Sequence, residues 1–250
     1  MQTTTKSLGY ILDTSERLPL HFWDRAPFIL KNTEVIFRHP PDKVLGFAGE
    51  VLMAGAIEFQ TQITPTLLTD VCDPDELLNS EMRSTHRFRC VYDPNIQRGI
   101  KDTRSGPREF LRRSQIDDMK THIYEGRFEC PQLMWNLRAG ETSWAHISST
   151  KELRIYDGVA TRPDTNHRHH AIVGVHRQYI QWQRDTGSAE MGTYNPDRAY
   201  GLVVYTDDEP QEGHRFYVYN FKGWHVPTST AHYIESKTHA PQLHNRLARE

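Results

Sequence analysis

The sequence predicts an α+β protein in which a small mixed sheet is flanked by helices. Between residues 153 and 177 a strand, a polar turn and a helix follow one another directly. Leu153 and Ile155 alternate with polar residues as in a half-buried strand, and Pro163 ends the strand before apolar residues recur at helical spacing. The chain of 250 residues is long enough to bury a full core around such a sheet.

The first part of the chain, residues 1–90, is predicted to be an N-terminal extension of strands and a helix, and residues 91–250 form the predicted main domain. Short β-prone runs separated by prolines lie at residues 18–23, 28–30 and 35–37. From Thr64 onward the spacing changes to that of a helix, with Thr69 or Asp73 as the candidate cap.

A helix followed by a strand forms the first unit of the main domain. Apolar residues at helical spacing predict a helix over residues 110–123, which Gly126 ends. Alternation after Pro131 predicts a strand at residues 133–137. Residues 202–205 and 216–219 are β-prone, and we predict two adjacent strands joined by an acidic, turn-rich linker.

The charge balance excludes a protein that is coated in basic residues. The formal net charge is -2 and the pI is near 6.7, so any nucleic acid must be held by a local patch. The candidate DNA-binding strip consists of Arg83, Arg87, Arg89, Arg112 and Arg113. Such a cluster is also typical of a solvated helix face.

The cysteines favour a reducing compartment. There are 3, without a Cys-x-x-Cys pair, which argues against a disulfide framework or a structural zinc site. We therefore expect a cytoplasmic protein. No stretch approaches the roughly 20 apolar residues of a membrane span, and no apolar run near the first residue suits a signal peptide, so we expect no membrane partner.

Four histidines close together raise the question of a metal. They are His167, His169, His170 and His176. Neutral imidazoles bind zinc and similar ions, but on a helix His167 and His170 diverge from the face that the other two share. We therefore predict no metal site and expect these histidines to surround an anion site.

The turn at residues 164–168 is the candidate functional site. It separates the strand from the helix, so Asn166, His167 and Arg168 fall at the helix N-terminus. Unpaired backbone N–H groups and the helix dipole favour an anion there, and an arginine can hold phosphate oxygens with two parallel hydrogen bonds. The alternative is a polar loop at which a helix merely begins.

The residues Asp164-Thr-Asn-His-Arg-His-His-Ala-Ile resemble the Asp-Gly-Gln-His-Arg signature of the ParB/sulfiredoxin-like superfamily. The resemblance is strongest to its DNA-sulfur-modification branch, which includes DndB-like and SspE-like proteins. Asp164, His167 and Arg168 match, whereas Thr165 replaces the family's glycine and Asn166 its glutamine. A helix, a glycine stop, a proline and a strand precede the turn in the family's order, so the resemblance spans residues 91–175.

The resemblance implies a ParB-like fold for residues 91–250 and catalytic roles for three residues of the turn. Arg168 would clamp phosphate, Asp164 would orient His167 or a metal-bound nucleotide, and His167 would donate a hydrogen bond or act as a general acid or base. The phosphate-binding set would be Thr165, Asn166, Arg168 and His169. If the turn needs a positive φ where the family has glycine, Thr165 is strained. Asn166 takes the position of the sulfiredoxin cysteine, which argues against sulfiredoxin chemistry.

The function implied is that of a DNA-modification or phage-defence component, and two classes of activity stay open. The family contains nucleotide hydrolases, which makes a nucleoside triphosphate with Mg the candidate ligand, and DNA-binding regulators without turnover. DNA is the expected partner, and protein partners of a modification system and self-association are further expectations. A third alternative is a structural component of a larger complex, because Thr165 departs from the signature.

Overall fold

The computed structural model describes residues 9–38, 57–72, 88–93, 99–100, 108–109, 111–130 and 132–217. The chain divides into one unit over Met1–Phe216 and a second over Tyr217–Glu250, of which only Tyr217 lies in the described ranges. Strands of a mixed sheet and helices both occur along the first unit. The predicted α+β class is therefore confirmed.

The strands and helices of the described ranges have the following bounds. The strands are β1 (Gly9–Leu12), β2 (Phe28–Leu30), β3 (Glu34–Phe37), β4 (Ile57–Ile63), β5 (Phe88–Val91), β6 (Gly99–Ile100), β7 (Arg108–Glu109), β8 (Leu133–Leu137), β9 (Ser143–Ile147), β10 (Glu152–Thr161) and β11 (Tyr200–Tyr205). The α-helices are α1 (Pro65–Val71), α2 (Arg113–Tyr124), α3 (Asn166–Thr186) and α4 (Glu209–Tyr217). Across these ranges, no helix combines the length and the apolar character that crossing a membrane requires.

Most of the strands form one mixed sheet. Its order is β1-β9-β10-β8-β11-β4-β3, and β2 and β5 each pair with β10 as well. β8 and β11 run parallel, so their carboxyl ends meet at the same edge of the sheet. β10 runs antiparallel to β8 and brings its last residue, Thr161, beside Asn136.

The long strand β10 joins the two halves of the sheet because it bends. Its first half pairs with β2 and β9, and its second half pairs with β5 and β8. The register shifts between Ile155 and Asp157, and Gly158 follows with φ +98°. A Cβ at Gly158 would lie 2.4 Å from the carbonyl oxygen of Glu141, so glycine is required at the bend.

One face of α3 closes the main core. Its buried apolar residues are Ala171, Ile172, Val173, Val175 and Tyr179. On the sheet, the ring of Trp135 lies 6.1 Å from that of Phe28 and 5.8 Å from that of Phe88, measured between centroids. Because each buried apolar side chain of such size contributes about 1.5 to 3 kcal/mol, this packing fixes the position of α3.

Several local predictions are corrected by the structure. Residues 18–23 hold a single-turn 3-10 helix, Leu20–Phe22, which follows Pro19, instead of a strand. Phe216 and Tyr217 end α4, and residues 218–219 lie outside the described ranges. The acidic run before them is the start of that helix, where the carboxylate of Asp208 accepts from the backbone N–H of Gln211.

The cap of α1 also differs from the prediction. The hydroxyl of Thr64 accepts a hydrogen bond from the backbone N–H of Leu67, so Thr64 is the N-cap. Thr69 lies within the helix, where its hydroxyl donates to the carbonyl of Pro65. Asp73, the other candidate, lies outside the described residues.

Strands from both sides of residue 90 share the large sheet. β1 pairs with β9 and β4 pairs with β11, so the N-terminal part of the chain supplies strands to the sheet that carries α3. The boundary between an extension and a main domain at residue 90 stays a prediction.

Candidate anion site at two helix N-termini

The helix α3 begins at Asn166, where the sequence places it. Its first turn holds no acidic residue, and the side chain of the N-cap, Thr165, makes no capping hydrogen bond. The first backbone N–H groups of a helix lack intrahelical partners and form the positive end of its dipole. The start of α3 therefore carries the positive end of a helix dipole.

The helix α2 begins in the same way. Its N-cap is Arg112, whose side chain makes no capping hydrogen bond, and its first turn is also free of acidic residues. Neither helix therefore neutralises its positive end with a side chain from its own first turn.

A hydrogen bond joins the two helix starts. The backbone N–H of Arg112 donates to Nε2 of His167 over 2.9 Å. Further along both helices, Lys120 lies against Gly174, since a Cβ at Gly174 would stand 2.8 Å from Cε of Lys120. The contact at Arg112 and His167 comes first along both helices and the contact at Lys120 and Gly174 comes second, so α2 and α3 run parallel. Their two N-termini lie side by side.

Three arginines belong to this pair of helix starts. Arg112 and Arg113 are exposed, and Arg168 is half-buried. One guanidinium nitrogen of Arg168, Nη1, donates to the carbonyl of Gln132 over 3.2 Å. This hydrogen bond restrains the guanidinium group, which has further N–H donors. The one acidic residue of the predicted turn, Asp164, is exposed. Cations therefore outnumber carboxylates among the predicted residues.

The backbone at Thr165 corrects one expectation. Its φ is -132° and its ψ is 21°, so the position requires no positive φ and the replacement of the family's glycine causes no strain there. Thr165 is buried, and its hydroxyl accepts a hydrogen bond from the backbone N–H of Met134 over 3.2 Å. Thr165 thus ties the start of α3 to β8.

His169 lies in the interior instead of at the surface. It is 0% exposed, Nδ1 lies 2.8 Å from the carbonyl oxygen of Thr165, and Nε2 lies 2.9 Å from the indole nitrogen of Trp135. Burial, together with the positive charge of Arg162, holds the pKa of His169 well below its ordinary value. The buried ring of His169 is therefore not accessible for the predicted phosphate contact.

A cysteine close to Arg168 stays a thiol. Burial raises the pKa of Cys130 to about 11, although the charges of Arg168 and Arg198 act in the opposite direction. Because the thiolate is the nucleophile, Cys130 offers no activated sulfur beside the anion site.

The predicted DNA-binding strip is described in part. Arg112 and Arg113 lie at the start of α2, next to the candidate turn, and Arg89 is exposed on β5. Arg83 and Arg87 lie outside the described residues. The structure thus brings the pair on α2 together with His167 and places Arg89 on a separate element.

A buried polar cluster at the edge of the sheet was not predicted. Its centre is Glu212 of α4, which is 0% exposed and accepts hydrogen bonds from Thr161, Asn136 and Arg138. Arg138 also pairs with Asp93. Burial raises the pKa of Glu212, although these hydrogen bonds and the charge of Arg138 lower it. The sequence does carry a signal for the start of α4, because Asp208 is suited to cap a helix and a proline follows in the first turn.

A second group of charges extends this cluster. Asp207 is 1% exposed and pairs with Arg38 and Arg215, whose guanidinium carbons lie 4.5 Å and 3.8 Å from the centroid of the Tyr205 ring. Asn136 joins the two groups, because its amide donates to the carbonyl of Asp207 and accepts from the backbone N–H of Asp207. These contacts hold the carboxyl ends of β8 and β11 together.

Comparison of the chain with protein-family models, with curated proteins and with solved structures finds no match.

Proposed function

We propose that this protein binds phosphate groups, of a nucleotide or of the DNA backbone, at the paired N-termini of α2 and α3. The observation that supports the proposal is the hydrogen bond from the backbone N–H of Arg112 to His167, which holds the two helix starts side by side. One helix start is a common feature of any fold, whereas two parallel starts that both lack an acidic first turn provide two dipoles for one anion.

The energies favour an anion of more than one negative charge. A helix dipole contributes about 0.3 to 1 kcal/mol to a charge at an exposed end. Hydrogen bonds to a charged group contribute about 1.5 to 3 kcal/mol each. Arg112, Arg113 and Arg168 add charge-assisted donors of the kind that phosphate oxygens accept, and the exposed carboxylate of Asp164 opposes them. A phosphate therefore fits better than a single carboxylate.

The wider proposal rests on the Asp164-to-Arg168 signature. We infer a cytoplasmic DNA-modification or phage-defence component with a ParB-like arrangement of residues 91–250, and DNA and proteins of such a system as partners. Nucleoside triphosphate hydrolysis with Mg is the catalytic form of this proposal, with Asp164, His167 and Arg168 in the active roles.

A non-catalytic DNA-binding regulator is the alternative, and one observation favours it. With Nε2 of His167 accepting from Arg112, a neutral imidazole carries its proton on Nδ1. Proton abstraction at Nε2 would first break the bond that joins the helices. The site as built therefore supports binding more directly than turnover.

The experiment compares Arg168→Ala with Arg184→Ala, which removes the same charge from the last turn of the same helix. Nucleotide and DNA affinity should fall in Arg168→Ala and stay unchanged in Arg184→Ala. If the protein releases phosphate from nucleoside triphosphates and Arg168→Ala abolishes this release, the protein is a hydrolase. If it binds DNA in a salt-sensitive manner and releases no phosphate, it is a non-catalytic regulator. Equal ligand affinity in both folded variants would refute the site.

A further inference from the structure

Two buried cysteines and a buried histidine meet in the core. Cys72 follows the last turn of α1, Cys90 lies on β5, and His169 lies on α3. The three residues are 0%, 1% and 0% exposed, and one ligand atom from each lies within 4.8 Å of the other two. Three elements that are distant in sequence thus converge on one point inside the protein.

The hydrogen bonds of His169 fix the position of its lone pair. The indole nitrogen of Trp135 can only donate, so Nε2 of His169 accepts and its proton is on Nδ1. Nδ1 then donates to the carbonyl of Thr165. Metal-binding histidines usually donate their second nitrogen to a backbone carbonyl or a carboxylate in this way, which orients the ring. The imidazole is thus neutral and oriented by a backbone carbonyl, and the Nε2 lone pair that a metal would take accepts the hydrogen bond from Trp135.

We propose that Cys72, Cys90 and His169 bind one zinc ion inside the core. Two thiolates and one imidazole are a ligand set that zinc takes in proteins. The described residues supply three ligands. The site is independent of phosphate binding at the helix starts.

The distances require a small contraction. Zinc–sulfur bonds of about 2.3 Å in a tetrahedral site hold two sulfurs about 3.8 Å apart. The ligand atoms, within 4.8 Å of one another, therefore close by no more than about an ångström. Metal binding at Nε2 of His169 replaces the hydrogen bond that this nitrogen accepts from the indole N–H of Trp135.

The charges balance in the buried site. Each thiol releases its proton to solvent, and the two thiolates neutralise the divalent ion, so the ion and its ligands carry no net charge. Because protons compete with the metal, affinity should fall as the pH falls.

The ion would link α1, β5 and α3 through one ligand from each. The carbonyl of Thr165, the N-cap of α3, already accepts a hydrogen bond from His169. Local sequence patterns conceal such a site because no two of its ligands lie within one short motif.

The test uses the full chain, reduced, stripped of metal with a chelator and titrated with Co²⁺, which reports thiolate ligands by a near-ultraviolet charge-transfer band. The unsubstituted protein should bind one ion with this band and show a raised melting temperature. Cys72→Ser and Cys90→Ser should lose the band. Cys130→Ser, which removes the third cysteine of the chain, should keep it. No band in the unsubstituted protein, or a band that survives in Cys72→Ser and Cys90→Ser, overturns the proposal.

A second measurement needs no variant and covers the case in which a buried substitution prevents folding. X-ray absorption at the zinc edge of the zinc-loaded, unsubstituted chain should show two sulfurs at about 2.3 Å and nitrogen or oxygen at about 2.0 Å. A shell of nitrogen and oxygen alone would assign the metal to surface histidines and overturn the proposal.

Discussion

The backbone N–H of Arg112 lies 2.9 Å from Nε2 of His167, and this hydrogen bond joins the N-cap of α2 to the first turn of α3. Parallel neighbouring helices place like dipole ends together, which is mildly unfavourable without a compensating charge. An anion between the two starts supplies that charge. The pairing therefore links a local structural bond to the proposed binding of phosphate.

The first prediction concerns His167. His167→Ala removes the acceptor of the Arg112 N–H and should cost about 0.5 to 1.5 kcal/mol of stability, while it weakens nucleotide or DNA binding because α2 loses its anchor. His167→Gln keeps an acceptor and should recover part of both. Denaturant unfolding and ligand titration measure the two effects. Unchanged affinity in a folded His167→Ala variant would show that the joint between the helices plays no part in binding.

The second prediction concerns Thr165. Because its φ is -132° and its hydroxyl accepts from Met134, Thr165→Gly should destabilise the protein by about 1 to 2 kcal/mol. Thr165→Ser keeps the hydroxyl and should lose much less. Both values come from chemical denaturation. Stabilisation by glycine would mean that the turn has the positive φ of the resembling signature after all.

The third prediction concerns the salt dependence of DNA binding. Each lost phosphate contact reduces the slope of log affinity against log salt by about 0.9 for duplex DNA. Replacing Arg112 and Arg113 together with alanine should flatten the slope by up to about two units if both contact phosphates. The control is the double variant with Arg127→Ala and Arg184→Ala, which removes the same total charge from exposed positions away from the helix starts. Equal slopes in the two double variants would remove the pair from the interface.

The fourth prediction concerns Glu212. Burial raises its pKa, so the folded protein holds this proton more tightly than the unfolded chain. The stability from this group is present below the ordinary pKa of 4.5 and is lost as the pH rises through the folded value. Glu212→Gln cannot ionise and should therefore gain stability relative to the unsubstituted protein as the pH rises from about 4.5.

Unfolding at several pH values measures this difference, with Glu209→Gln on the exposed first turn of α4 as the control. A difference that does not change with pH would mean that folding leaves the pKa of Glu212 at its ordinary value.

Local signals predicted those parts of the fold that local chemistry decides. Pro163 before α3 and Gly187 after it, at φ +69°, are typical signals for the two ends of a helix. The alternation at residues 133–137 and 153–155 likewise marks strands of the sheet. These signals lie within a few residues of the element they specify.

The features that the sequence did not reveal depend on contacts between distant residues. His169 shares a helical turn with His167, yet one is buried against Trp135 and the other is half-buried beside Arg112, because α3 meets β8 at His169 and the start of α2 at His167. Glu212 belongs to an acidic run that suggests a linker, and only the pairing of β8 with β11 brings Asn136 and Arg138 to it. Neither environment is encoded in a local period.

The most direct test of the central claim is to locate the bound phosphate on the protein. A uniformly ¹⁵N-labelled chain is titrated first with a nucleoside triphosphate and then with a short DNA duplex, and the amide resonances are followed. The account predicts that the largest shifts occur at the first-turn amides of both helices, residues 113–115 and 166–168, and that Arg168→Ala weakens the response. Binding that leaves these amides unchanged and shifts others would contradict it.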